Sequence, residues 1–242
     1  MMKLSFVQST VMWALYALVC VLLAISFAFF IWGYFDYGYG VWYQVLDIPE
    51  HLNTYAAQNQ LKPQFHTLDA ATHKQLFSDI VKAVHVDVGR LGTLSYHAPN
   101  GLEIQLLHQA EITHLEDVAQ LFDQLKKLAL GLALLWLPLA FGVLRCGSFH
   151  WRQGSLLLAL VFLPGILWLL VKGPTQVFYQ LHEWIFPPDN PWFFYWEESH
   201  MSAMMKAPYL FGAIAVEITL LAMVLTPLLH GVGLFLVRGV AR

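Results

Sequence analysis

Two short segments, far apart in the chain, carry residue types suited to acid–base chemistry. Glu111-Ile112-Thr113-His114-Leu115-Glu116-Asp117-Val118 stands just before a long apolar run. His182-Glu183-Trp184-Ile185-Phe186-Pro187-Pro188-Asp189-Asn190 stands shortly after the next one. An imidazole with a pKa of about 6.5 takes up and returns protons near neutrality. A carboxylate three residues away on a helix is close enough to orient it. The two segments are expected to meet at the outer surface of a membrane, where ionisable groups are costly and seldom incidental.

The first segment reads as a helix. At 100° per residue, Ile112, Leu115, Val118, Ala119, Leu121, Phe122 and Leu125 form one apolar arc, and Thr113, Glu116, Asp117, Gln120, Asp123 and Gln124 form the opposite face. His114 and Glu111 fall inside the apolar arc, where a polar pair is expensive unless each member is partnered. Spacing alone leaves two readings open: a satisfied core pair, or an acid–base pair. His182 shares a helical face with Phe178, Leu181 and Ile185 over 175–186, and Pro187, Pro188 and Pro191 end the regular structure. Asp189 and Asn190 are turn formers by type. His51, His66, His73, His85, His97 and His108 read as solvated or structural.

The elements that position these residues follow from composition. The chain has 242 residues, 58% of them apolar and 12% charged, against about 25% charged in soluble domains. It is expected to be mainly α, a polytopic membrane protein with four transmembrane helices and a small extracytoplasmic domain. The spans are placed at 11–32, 128–144, 155–171 and 209–237, each of adequate length to cross a bilayer. Pro138, Pro164 and Pro227 interrupt three of them, which membrane helices tolerate. The first span is too long for a signal-peptide core and reads as an uncleaved anchor. Between the spans lie an outer domain at 33–127 and an outer loop at 172–208. In the domain, Asp69 is expected to cap a helix running to about Val84, 89–101 reads as turns around a short extended piece, and a helix starts near His108.

Orientation follows from the basic residues. Lys3, Arg145, Arg152, Arg238 and Arg242 fall on one side, in segments free of acid, while every acidic residue except Glu217 falls on the other. Both termini are therefore expected to be cytoplasmic. Glu217 lies within a span, where a carboxylate is read as functional by default. The net charge of −3 offers no basic field for nucleic acid. Cys20 and Cys146 fall on different elements and suggest no disulfide.

Glu111-x-x-His114-x-x-Asp117-Val118, followed after two further spans' worth of chain by His182, Phe186-Pro187 and Asn190 with Trp192 and Phe194 beyond, resembles the paired motifs of the bacterial lipoprotein intramolecular transacylases. The Pro188 and Pro191 spacing and the 193–200 stretch depart from that pattern. The resemblance implies movement of an acyl chain from the sn-2 oxygen of a lipoprotein's diacylglyceryl group to the α-amine of its N-terminal cysteine, giving an N-acyl lyso-form lipoprotein. It implies a bacterial inner-membrane enzyme facing the outer leaflet, with diacylglyceryl-modified lipoprotein and membrane phospholipid as partners and no cofactor or metal. His114 and His182 would act as general base and partner acid. Glu111 or Asp117 would orient His114. Asn190, or a backbone N–H of the adjoining turn at Asp189, would serve as an oxyanion donor. Two other readings remain: a non-enzymatic membrane subunit that docks a partner through the aromatic 184–196 loop, and a metal-dependent membrane hydrolase.

Overall fold

The computed structural model describes residues 6–146 and 151–241. Lys3 and Arg242, two of the residues used for orientation, lie outside the described residues. The principal helices are α1 (Phe6–Tyr34), α2 (Tyr39–Val45), α3 (Ile48–Tyr55), α4 (Ala70–Val86), α5 (Gln109–Arg145), α6 (Trp151–Lys172), α7 (Pro174–Ile185), α8 (His200–Met205) and α9 (Tyr209–Ala241). A two-stranded antiparallel hairpin, β1 (Ser95–His97) and β2 (Glu103–Gln105), pairs Tyr96 with Ile104. Among the described residues, four helices are long and apolar enough to cross a membrane: α1, α5, α6 and α9. Pro138, Pro164 and Pro227 lie inside α5, α6 and α9 without ending them.

The chain divides into two compact units. One comprises Met1–Ile31, Gln124–Gly173 and Glu217–Arg242. Ala24, Ala28 and Ala222 form one of its buried clusters, and small residues of this kind let helix backbones approach closely. Trp13, Tyr16, Cys20, Ala140 and Val143 form another. The Tyr16 hydroxyl donates to the His230 carbonyl at 2.7 Å. Cys20 and Cys146 are both free thiols. Only 6% of the apolar window of α6 is buried. An apolar surface of that extent is stable where hydrocarbon replaces water.

The other unit comprises Trp32–Asp123 and Pro174–Val216. Its interior holds Tyr39, Tyr43, Ile48, Leu52, Phe65, Ile80, Leu91 and Tyr96, all fully or nearly fully buried. Asp69 caps α4 by accepting from the Thr72 N–H at 2.7 Å, as the sequence predicts, and the helix runs two residues past Val84. His73 is a structural histidine. Its Nε2–H must donate to the Phe65 carbonyl, 3.0 Å away, so Nδ1 accepts from the Tyr43 hydroxyl at 2.8 Å. Tyr39 stacks on Phe77 at 3.9 Å and donates to the Met204 carbonyl.

The segment expected to be an outer loop carries α7 and α8 and folds into the same unit as the expected outer domain. After the first span, Tyr39, Trp42 and Tyr43 lie on α2, and α3 follows. These helices are only 7 and 8 residues long, and each starts after a residue in the left-handed region, Gly38 (φ 62°) and Asp47 (φ 51°). Helices this short are stabilised by packing rather than propensity, so their periodicity is weak in the sequence.

His51, His73, His114 and His200 are all buried, and burial depresses the pKa of each below its ordinary value. For His114 and His200 the value falls to about 4. The unfolded chain therefore binds more protons than the folded one between about 4 and about 6.5. Stability from these groups is fully present above about 6.5 and is lost as pH falls through that window. The thermal midpoint of the detergent-solubilised protein is expected to fall steadily on acidification from pH 7 to pH 4. A flat midpoint would contradict this account.

Candidate active site

The site is built on the first turns of α5. His108 precedes the helix and Glu111 is its third residue, so the Glu111 carboxylate can reach back to the free N–H at the helix start. It does so: Oε2 accepts from the His108 N–H at 2.5 Å. Its other oxygen, Oε1, accepts a short hydrogen bond from the Ser199 hydroxyl. Glu111 has 0% exposure, and both its oxygens are thereby satisfied. Lys62 is buried nearby and donates to the Leu106 carbonyl at 2.6 Å. Burial lowers the Lys62 pKa, and the charge of Glu111 opposes that shift.

One turn further along, His114 is 8% exposed. Its ring lies 6.0 Å from the ring of His182, between centroids. Phe186 meets it edge-on at 4.8 Å and Phe194 lies at 6.1 Å. Nδ1 of His114 is buried and makes no hydrogen bond. Burial holds His114 down to about pKa 4, the neighbouring His182 adds to the shift, and Asp117 opposes it.

His182 sits on α7. Its Nδ1 lies 2.8 Å from the Phe178 carbonyl. A carbonyl only accepts, so Nδ1 carries the proton and Nε2 is the basic atom of the neutral ring. Phe178 at 4.1 Å and Trp192 at 5.1 Å enclose the ring. Burial lowers its pKa, and the bond to Phe178 works the other way.

Asp117 is one turn beyond His114, and its Oδ2 accepts from the Asn190 side-chain amide at 2.7 Å. Asn190 closes the turn after α7 through its own N–H to the Pro187 carbonyl. From Pro191 to Trp196 the chain forms no regular helix, and exposed and half-buried side chains alternate. Phe193 and Tyr195 face outward, 49% and 61% exposed. The alternate residues face inward, each against a histidine: Trp192 on His182, Phe194 on His114 and Trp196 on His51, the last at 4.4 Å. This strap is therefore a row of aromatic covers over a row of imidazoles. It ends at Ser199, the N-cap of α8, whose hydroxyl accepts from the Ser202 N–H.

Of the residues predicted from the sequence, Glu111, His114, Asp117, His182 and Asn190 come together in one unit. Glu111 and His114 are buried, in keeping with the helical wheel. Neither carboxylate hydrogen-bonds to His114. Both are used to hold the 187–199 strap, at its two ends, because partners from that strap reach them first. Asp189 is exposed in the turn. Glu217 is half-buried on α9 and belongs to the other unit. Of the histidines read as solvated or structural, His51 and His73 are buried and His97 is exposed.

Sequence reasoning missed Ser199, Lys62 and the histidine-facing alternation of Trp192, Phe194 and Trp196. The alternation was the one available signal, a period of two in aromatic residues after a proline-rich turn. A cavity of about 520 Å³ adjoins the strap, lined in part by Asn59, Leu61, His108, Phe194, Glu197 and Ser199. Among the described residues no three His, Cys, Asp or Glu side chains are grouped to hold a metal ion.

Residues 10–209 match the family described as the lipoprotein intramolecular transacylase Lit. No curated protein is matched. Two solved structures of the membrane-integral lipoprotein intramolecular transacylase Lit from Bacillus cereus share the fold. Each carries one histidine substitution, to arginine in one and to alanine in the other. Both are 13% identical to this chain with a TM-score of 0.63, and the alignments cover 96% of this chain and 93% and 94% of theirs. At that identity the likeness speaks for the fold, which is a membrane-integral one. The family match runs over well more than half of the chain, and the protein therefore belongs to the lipoprotein intramolecular transacylase family of acyltransferases.

Proposed function

We propose that this protein moves the sn-2 acyl chain of a diacylglyceryl-modified lipoprotein to the α-amine of the same lipoprotein's N-terminal cysteine, with His114 and His182 as the acid–base pair. The observation that supports this most directly is the 6.0 Å pairing of two histidine rings in an aromatic enclosure. The reaction is an aminolysis. The amine nitrogen attacks the ester carbon, an N–C bond forms, and the C–O bond to the sn-2 oxygen breaks. The proton lost by nitrogen ends on that oxygen, so the step is balanced without a co-reactant.

The two imidazoles suit this transfer. A histidine whose pKa is held low is a weak base toward an ammonium. It is competent toward the much more acidic N–H of the tetrahedral adduct, and it returns the proton readily to the leaving oxygen. His182, with its proton fixed on Nδ1, presents Nε2 as acceptor. Donor and acceptor belong to one molecule, so much of the entropic barrier to encounter is already removed. A covalent acyl-enzyme is not required. Cys20 and Cys146 belong to the other unit. The Ser199 hydroxyl is buried and donated to Glu111. One N–H of the Asn190 side chain is given to Asp117, so an oxyanion contact would fall to its other N–H or to the backbone of the Asp189 turn.

The same reading puts the enzyme in a bacterial inner membrane, among phospholipid, with both termini cytoplasmic and this site toward the outer leaflet. The grouping of Arg145 and Arg152 beside spans that carry no acid at that end supports it.

Co-expression with a reporter lipoprotein, with its lipid form read by mass spectrometry, tests the reaction. Wild-type protein is expected to yield N-acyl lyso product. His114→Ala and His182→Ala are each expected to lower its yield by about 10²-fold or more, the usual scale for losing a general acid or base. Undiminished product from both variants would overturn the site, and unmodified diacyl lipoprotein from the wild type would overturn the reaction. Activity is expected to persist with a strong chelator present. The pH dependence is a separate check. Because His114 stays neutral down to about 4, the acid limb should be set by the substrate amine. The initial rate at low substrate is expected to climb until about pH 8, near the reference pKa of an α-amine. A profile flat from about 6.5 upward, the ordinary imidazole range, would contradict this assignment.

A further inference from the structure

The two carboxylates that flank His114 by one turn in either direction both bind the same strap. Asp117 takes its start through Asn190, and Glu111 takes its end through Ser199. Ser199 is 1% exposed and makes two bonds at once. Its hydroxyl donates to Glu111 and accepts from the Ser202 N–H at 2.9 Å. The Ser202 hydroxyl in turn donates to the Phe194 carbonyl at 3.0 Å. Phe194 is the residue whose ring covers His114. A continuous set of bonds therefore runs from Glu111 on α5, through the first turn of α8, to the aromatic that lies on His114.

We propose that Ser199 is a positioning residue, the closing latch of the strap over His114. The inference rests on the reading of His114 as an acid–base group, but the latch itself is testable without acyl transfer. Glu111 is fully buried and cannot recover a lost donor from bulk water without an opening of the structure. Removing the Ser199 hydroxyl leaves Oε1 of Glu111 unsatisfied and unties α8 from α5. The strap then lifts at its Phe194 end, while the Asp117–Asn190 bond keeps its other end in place. The strap's outward residues, Phe193 and Tyr195, are 49% and 61% exposed, and Phe193 keeps only an edge contact with Tyr179 of α7, at 5.9 Å, so packing on that side resists the movement weakly.

Diethyl pyrocarbonate labelling of the full-length protein in detergent, read peptide by peptide by mass spectrometry, tests this. His114 and His73 are both buried, at 8% and 2% exposure, and both are expected to react slowly in the wild type. In Ser199→Ala, His114 is expected to label roughly tenfold faster or more, the scale of one lost hydrogen bond to a charged group. His73, held by Tyr43 and Phe65 away from the strap, is expected to keep its rate. Ser199→Thr, which retains the hydroxyl, is expected to restore slow labelling of His114. Turnover in Ser199→Ala should fall while the product stays the N-acyl lyso form. Unchanged His114 labelling would overturn the latch. Equal acceleration at His73 would overturn it as well, since Ser199 would then only hold the unit together. Faster His114 labelling with full turnover would overturn the positioning role. Full activity in His114→Ala, alongside selective labelling in Ser199→Ala, would leave the latch standing and remove the catalytic reading instead.

Discussion

A carboxylate with no exposed surface must have both oxygens satisfied, and Glu111 is such a carboxylate. One oxygen closes the start of α5 and the other takes the hydroxyl that caps α8. The start of one helix, the start of another and the strap between α7 and α8 are thus tied to one side chain. Charge-assisted hydrogen bonds are worth about 1.5–3 kcal/mol each. More consequential is the penalty for leaving such a group unpaired, which makes the arrangement all-or-none. The strap cannot shift by an ångström and keep Glu111 satisfied. Lys62, buried beside it, adds a favourable charge without a direct claim on its oxygens.

From that constraint the environment of the histidines follows. A strap held at both ends by α5 crosses His114, and every second side chain along it is turned inward. Trp192, Phe194 and Trp196 land on His182, His114 and His51. The aromatic covers remove water from the rings and depress the basicity of all three. The result favours neutral imidazole across the neutral pH range. That is the state in which a histidine accepts a proton from an adduct formed at the same place and time. It also means that stability and function draw on the same burial. Loosening the strap would let His114 charge and would leave Glu111 unpaired in a single movement.

Much of this protein is legible in its residues alone. Apolar runs of span length mark four helices, because every backbone group in hydrocarbon must be bonded within its own segment. The wheel around His114 turns it and Glu111 toward the apolar arc, and both are buried. The paired motifs, with their order and spacing, point to the family that the match over 10–209 supports. Within 172–208 the helical face of His182 is legible in the sequence and α8 is not, for a physical reason. Six-residue α8 is stabilised by burial and a serine cap, and neither leaves a periodic trace in so short a window. The same holds for α2 and α3.

Local pattern alone determined which helices could lie in lipid, which face of α5 turns inward and which residue types stand near His114, since each depends on neighbours within a turn or two. Only the tertiary structure decided what those residues bind. Spacing put Glu111 and Asp117 within reach of His114, and a sequence offers no closer partner. In the folded unit their partners come from 88 and 73 positions away, as Ser199 and Asn190. A hydrogen bond is chosen by distance and angle in space, and separation along the chain says nothing about either.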